Sequence, residues 1–163
     1  MTLRQTLTHR LKDTWHGSPW YGNPSDKILE GITAAEAATQ LAPGSHTIWQ
    51  LVLHMTAWTE TTGQRVRGMG SKGPDRGDWP DVGDTSDAAW KAALAELDTA
   101  RKALVEEINT AHEEDIQLHV KQHDPPFKDT GMSRAGTVYG LIEHDIYHLG
   151  QIALIRNALR AKS

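Results

Sequence analysis

Four stretches of this chain repeat apolar residues at steps of three and four, the period of an α-helix with one face turned inward. Leu3, Leu7, Leu11 and Trp15 make the first stripe and predict a helix over 2–15. Thr2 and Gln5 open it at capping-box spacing, where each side chain satisfies a backbone N–H that the first turn leaves free. Leu51, Met55 and Trp58 belong to a second stripe over 47–67, opened by the same device in Thr47 and Gln50. Trp90, Leu94, Leu97, Leu104 and Ile108 make a third over 86–109, with charge on its opposite side. Leu141, Ile152, Ile155 and Leu159 mark a fourth over 133–159. Two brief helices are expected over 25–30 and 33–40, the latter with a capping box in Thr33 and Glu36. This pattern predicts an all-α fold: one domain over 1–163, a four-helix bundle with long connections between its first and second and its third and fourth long helices.

Two connecting segments read differently. Gly68, Gly70, Gly73, Pro74 and Gly77 punctuate a stretch reaching to about residue 84, read as a plain exposed linker, with a lid as the alternative. Over 112–131, Ile116, Leu118 and Val120 alternate with polar residues, a strand-like period of two, and Pro125 and Pro126 rule out a helix there.

Composition narrows the class. A chain of 163 residues suits a single domain with a real core. It holds no run of eighteen apolar residues, and its opening residues lack the apolar stretch of a leader. No membrane association is therefore expected, and a cytoplasmic location is the default expectation. There is no cysteine, so neither disulfides nor thiolate ligands contribute. A net charge of −4 and no basic run longer than two residues speak against nucleic acid as a partner. What stands out is nine His and six Trp beside a single Phe.

Two of the histidines, His144 and His148, lie one helical turn apart, with imidazoles about 6 Å apart along the axis. They interrupt an apolar stripe instead of pointing into water. Nine histidines in 163 residues make a chance pair at this spacing common, and His119 with His123 is a second such pair. That pair lies in the strand-like segment, on the side opposite Ile116, Leu118 and Val120, and is read as plain surface. His54 joins the first pair because it too is set within an apolar face, among Leu51, Met55 and Trp58. A buried imidazole is costly unless its nitrogens have partners, and one cation can serve three of them. The plainer alternative is three separate histidines, each bonded to a backbone carbonyl. Three neutral nitrogens suit zinc, nickel or iron(II), and leave a coordination position for water or substrate. Asp145 and Glu143 flank His144 and are candidate acceptors for an imidazole N–H, but helical direction points both away from the pair's own face.

These segments resemble the DinB/YfiT superfamily of metal-binding four-helix bundles. The residues that carry the resemblance are His54-Met-Thr-Ala-Trp58 and His144-Asp-Ile-Tyr-His148-Leu-Gly-Gln-Ile152, supported by Trp15-His16-Gly17 and Pro43-Gly-Ser-His-Thr47-Ile-Trp49. The resemblance implies a bundle with His54, His144 and His148 as ligands of one divalent transition metal (Zn, Ni or Fe), often in a homodimer. Some members resemble S-transferases or isomerases that use a low-molecular-weight thiol.

The first functional expectation is thus a metal-dependent transferase that brings a small thiol to an electrophilic small molecule, the thiol arriving from outside because the chain has none. The alternatives are a metal-fastened binding or structural module, and a metal-assisted hydrolase. Trp58 is expected to wall the pocket. Tyr147 is a candidate proton donor, though a bundle tyrosine more often serves core or interface. Trp20, Tyr21 and Trp49 are candidates for covering the bundle end or an interface, with core packing favoured for Trp49.

Overall fold

A computed structural model describes residues 1–70, 73–120 and 131–161. Among them lie seven helices: α1 (Leu3–His16), α2 (Ser25–Leu29), α3 (Ala34–Ala38), α4 (Ile48–Val66), α5 (Asp87–Thr110), α6 (Glu113–Ile116) and α7 (Arg134–Arg160). The four long ones match the four apolar stripes. Helix α1 packs on α5 and α7, and α4 packs on the same two, so the stripes face a common interior.

Local chemistry sets the helix starts. The capping boxes of Thr2 with Gln5, Thr33 with Glu36 and Thr47 with Gln50 are all formed. Ser86 and Ser133 cap α5 and α7 by accepting from the third backbone N–H of each helix. Helix α4 stops at Gly68, whose φ of +80° is open to glycine at little cost. A Cβ there would lie 2.6 Å from Arg134 Nη2, and the other terminal nitrogen of that guanidinium, Nη1, donates to the Val66 carbonyl.

The core falls into two apolar clusters. One gathers Trp49, Met55, Trp90, Leu97, Leu149 and Ile152; the other gathers Leu7, Leu11, Trp15, Leu104, Leu141 and Ile142. Trp49 lies against Trp90, ring centroids 5.1 Å apart, and the Trp90 indole N–H donates to the Ile32 carbonyl. Trp20 is exposed, and Tyr21 is half-buried. None of the described helices is long and apolar enough to cross a membrane.

The strand-like reading of 116–120 needs correction at its start. Ile116 closes the short helix α6 and is buried, while Leu118 is half exposed. Only the end of the segment is extended: His119 and Ser133 form an isolated antiparallel bridge, with Val120 N–H donating to Met132 and Arg134 N–H to Leu118. His119 faces solvent as expected. Its pair-mate His123, with Pro125 and Pro126, lies outside the described residues, as do positions 71 and 72 of the glycine-rich linker.

Candidate metal centre

The apolar stripe of α4 carries His54 into the interior, and the stripe of α7 does the same for His144 and His148. Their Nε2 atoms converge: His54 to His144 is 2.9 Å and His148 to His144 is 3.1 Å. These three form a set of ligand atoms all within 4.8 Å of one another. His54 and His148 are buried, and His144 is half-buried.

The outer nitrogens decide what the inner ones can be. His54 Nδ1 lies 2.5 Å from the Asp78 carbonyl oxygen, and His148 Nδ1 lies 2.6 Å from Gln151 Oε1. Both oxygens accept, so both Nδ1 atoms carry the proton and both Nε2 atoms present a lone pair. Each of those lone pairs points at the single Nε2 of His144, which has at most one hydrogen to offer. At least one close N···N contact in the neutral trio therefore has no proton between its members. A cation resolves that repulsion, and three imidazole nitrogens are a donor set suited to it.

Burial opposes a proton as the resolving cation. Desolvation, aided by the neighbouring imidazoles, pushes His148 down to about 4. His54 is also held below 6.5, first by desolvation, with the Asp78 carbonyl acting in the opposite direction. Both rings are thus neutral at pH 7, the form that ligates metals.

The glycine-rich linker is not a plain exposed connection; it folds over the site. Gln64 donates to Asp75 at 2.7 Å, and Arg76 pairs with Glu60 on α4 and Glu96 on α5. Asp78 supplies its carbonyl to His54 and its carboxylate to the Trp58 indole N–H at 2.8 Å. The Trp79 ring stacks on His54 at 3.9 Å, and His46 stacks on its far side at 3.6 Å. The sequence reading missed Asp78, Trp79 and His46. A tryptophan within a glycine-rich loop was the one signal available, since a large aromatic seldom stays in a segment that covers nothing.

Beside the histidines opens a cleft of about 310 Å³, lined by Trp58, Thr62, Arg65, Met132, Leu141 and His144 among others. Trp58 walls it as expected, with the Arg65 guanidinium 5.4 Å from the centre of its ring system. Tyr147 belongs neither to the core nor to this cleft: it is 63% exposed, its ring centroid 5.0 Å from that of His148. Glu143 faces solvent. Asp145, expected to point away from the pair's face, is fully buried: its carboxylate accepts from the Trp15 indole N–H at 2.9 Å.

A family model described as the DinB superfamily matches residues 24–152, a span that includes all three histidines. No curated protein and no solved structure shows a significant match.

Proposed function

The chain belongs to the DinB superfamily, and from that premise we propose that His54, His144 and His148 hold one divalent transition metal, zinc, nickel or iron(II), at a site that serves small-molecule chemistry. The observation that carries this reading is the convergence of three Nε2 atoms whose Nδ1 partners are already spoken for or buried. When bound, such an ion lowers the pKa of a thiol or water at its open position and so supplies a nucleophile at neutral pH.

The protein's own groups do the rest. Asp78 and Gln151 hold two imidazoles in the tautomer that leaves Nε2 free. Trp79 covers one side of His54 and limits water on that face. The cleft on the other side is apolar, apart from threonines, Arg65 and the Asp78 carboxylate, which suits a small organic electrophile. Because the chain has no cysteine, a thiol nucleophile is brought by a low-molecular-weight co-substrate. The adjoining cleft favours this transferase reading over a purely structural metal, whose site closes with four protein ligands.

Metal analysis of untagged protein tests the ligand set. His148→Ala is expected to lose most bound metal, whereas His119→Ala and His123→Ala keep it. Retention by the His148 variant would overturn the assignment. Thiol-transfer assays with several small thiols then test the reaction class, and a metal-loaded protein inert toward all of them would return the site to a binding or structural role.

A further inference from the structure

The three imidazoles are not held alike. His54 and His148 each have an oxygen within hydrogen-bonding distance of Nδ1. His144 Nδ1 is buried without a hydrogen-bond partner among the described residues. The carboxylate oxygen beside it is Oδ1 of its chain neighbour Asp145, 3.9 Å away, and that atom is likewise buried without a hydrogen bond. Two complementary orphans thus sit side by side, one a nitrogen able to carry a proton and the other a full acceptor.

Asp145 itself is firmly held from behind. It is 0% exposed, on the apolar face of α7, where a bare carboxylate is prohibitive. Its Oδ2 accepts from Trp15 of α1 and lies 3.6 Å from Nη2 of Arg101 on α5. Arg101, 3% exposed, is fixed in turn by donating to Ser25 Oγ at 2.9 Å, with its guanidinium 5.0 Å from the centre of the Trp15 ring system. Everything that anchors the carboxylate engages Oδ2. Oδ1 is left for the side of His144.

We propose that Asp145 is a positioning residue for His144: its Oδ1 takes the Nδ1–H of that imidazole and so fixes the tautomer whose Nε2 lone pair joins those of His54 and His148. The separation must close by about 1 Å to reach hydrogen-bond length, within reach of a rotation about the soft terminal torsion of the imidazole. The bond gives the third histidine what Asp78 and Gln151 give the other two. It also makes the buried Arg101–Asp145 pair a brace for the site, linking α5 to a ligand on α7. The role as a metal-site brace rests on the three-histidine reading above; the hydrogen bond itself does not.

Removing Asp145 alone strands the Arg101 charge, so the informative variant removes both charges. Asp145→Leu with Arg101→Met keeps the volume apolar, a replacement that buried ion pairs tolerate. Cobalt(II) titration followed by visible absorption reads the site, and nitrogen NMR of the metal-free protein reads the His144 tautomer. The double variant is expected to bind cobalt about 10- to 100-fold more weakly and to show His144 as a mixture of tautomers. Trp15→Phe, which touches only the Oδ2 side, is expected to leave both readouts near wild type.

A folded double variant with wild-type affinity and an unchanged His144 signal overturns the proposal. So does an equal loss in Trp15→Phe with the tautomer unchanged, since that marks a purely structural role. If the double variant does not fold, Asp145→Asn with Arg101→Gln takes its place: it strands no charge and its amide oxygen keeps an uncharged acceptor, so partial retention of affinity and tautomer supports the role and wild-type values of both overturn it. Failure of the wild-type protein to bind cobalt overturns the metal reading instead, and the tautomer in metal-free protein still decides the Asp145–His144 bond.

Discussion

At the scale of single residues, the cost of the site is that its imidazoles must stay neutral. His148 sits at about 4 and His54 below 6.5, both because burial penalises the charged ring. In the unfolded chain the same rings take up a proton near 6.5. The unfolded state therefore binds more protons between those values, and stability falls as pH drops through the window. Metal-free protein is expected to be most stable above about pH 6.5, to lose stability steadily toward pH 4.5, and to lose less in His148→Gln. Urea unfolding midpoints at several pH values check this, and a flat midpoint across the window refutes it. The Glu36 contribution enters only at the foot of this window: Arg160 and the Thr33 backbone hold that carboxyl at about 2, against an ordinary 4.5, so its stabilisation fades as pH falls from about 4.5 toward 2. Arg101 and Asp145 show why parts of the site escape a reading of the sequence. Arg101 follows Leu97 by four and precedes Leu104 by three, and Asp145 follows Leu141 by four, so both lie on apolar stripes. Neither stripe position by itself announces a buried charge; only their meeting across 44 positions makes burial affordable.

At the scale of elements, what was legible is what is local. A capping box closes over four residues, so all three were visible as spacings and all three formed. Thr47→Ala, which removes the cap of the helix that carries His54, is expected to cost about 1 kcal/mol while leaving metal content unchanged, because the ligand lies two turns inward. Thermal unfolding and elemental analysis check the two halves; loss of metal would mean that the start of α4 is part of the site. Segments without a local period behaved otherwise. Residues 116–120 show alternation, yet three acidic residues in sequence favour a helical turn at α6, where negative charge suits the positive N-terminal end. The linker after α4 looked featureless because its order comes from distant partners: Glu60 and Glu96 for Arg76, and His54 and Trp58 for Asp78. No spacing within the linker encodes those contacts.

At the scale of the whole molecule, the polar groups form a layer across the bundle. On α7, Leu141 and Ile142 belong to one apolar cluster and Leu149 and Ile152 to the other, with His144, Asp145 and His148 between them. On α5, Leu97 and Leu104 fall in separate clusters, with Arg101 between them. A bundle interrupted in this way gives up apolar contact at its waist and replaces it with groups that need partners. Three of those groups are the convergent imidazoles, which without a cation contribute repulsion between α4 and α7 where those helices meet. An ion bound there acts on the folded chain alone, since the unfolded chain does not bring position 54 to positions 144 and 148. At a free metal concentration about 100 times the dissociation constant, this linkage adds about 2.7 kcal/mol. For a chain of this size each kcal/mol moves the melting midpoint by about 2–4 °C, so metal is expected to raise it by roughly 5–11 °C over chelator-stripped protein. The gain should vanish in His54→Ala, which removes the only ligand on α4 and with it the bridge between the two helices. Calorimetry of stripped and reloaded protein measures both. Equal midpoints with and without metal would show that the waist of the bundle is held by its ion pair and stacked rings alone.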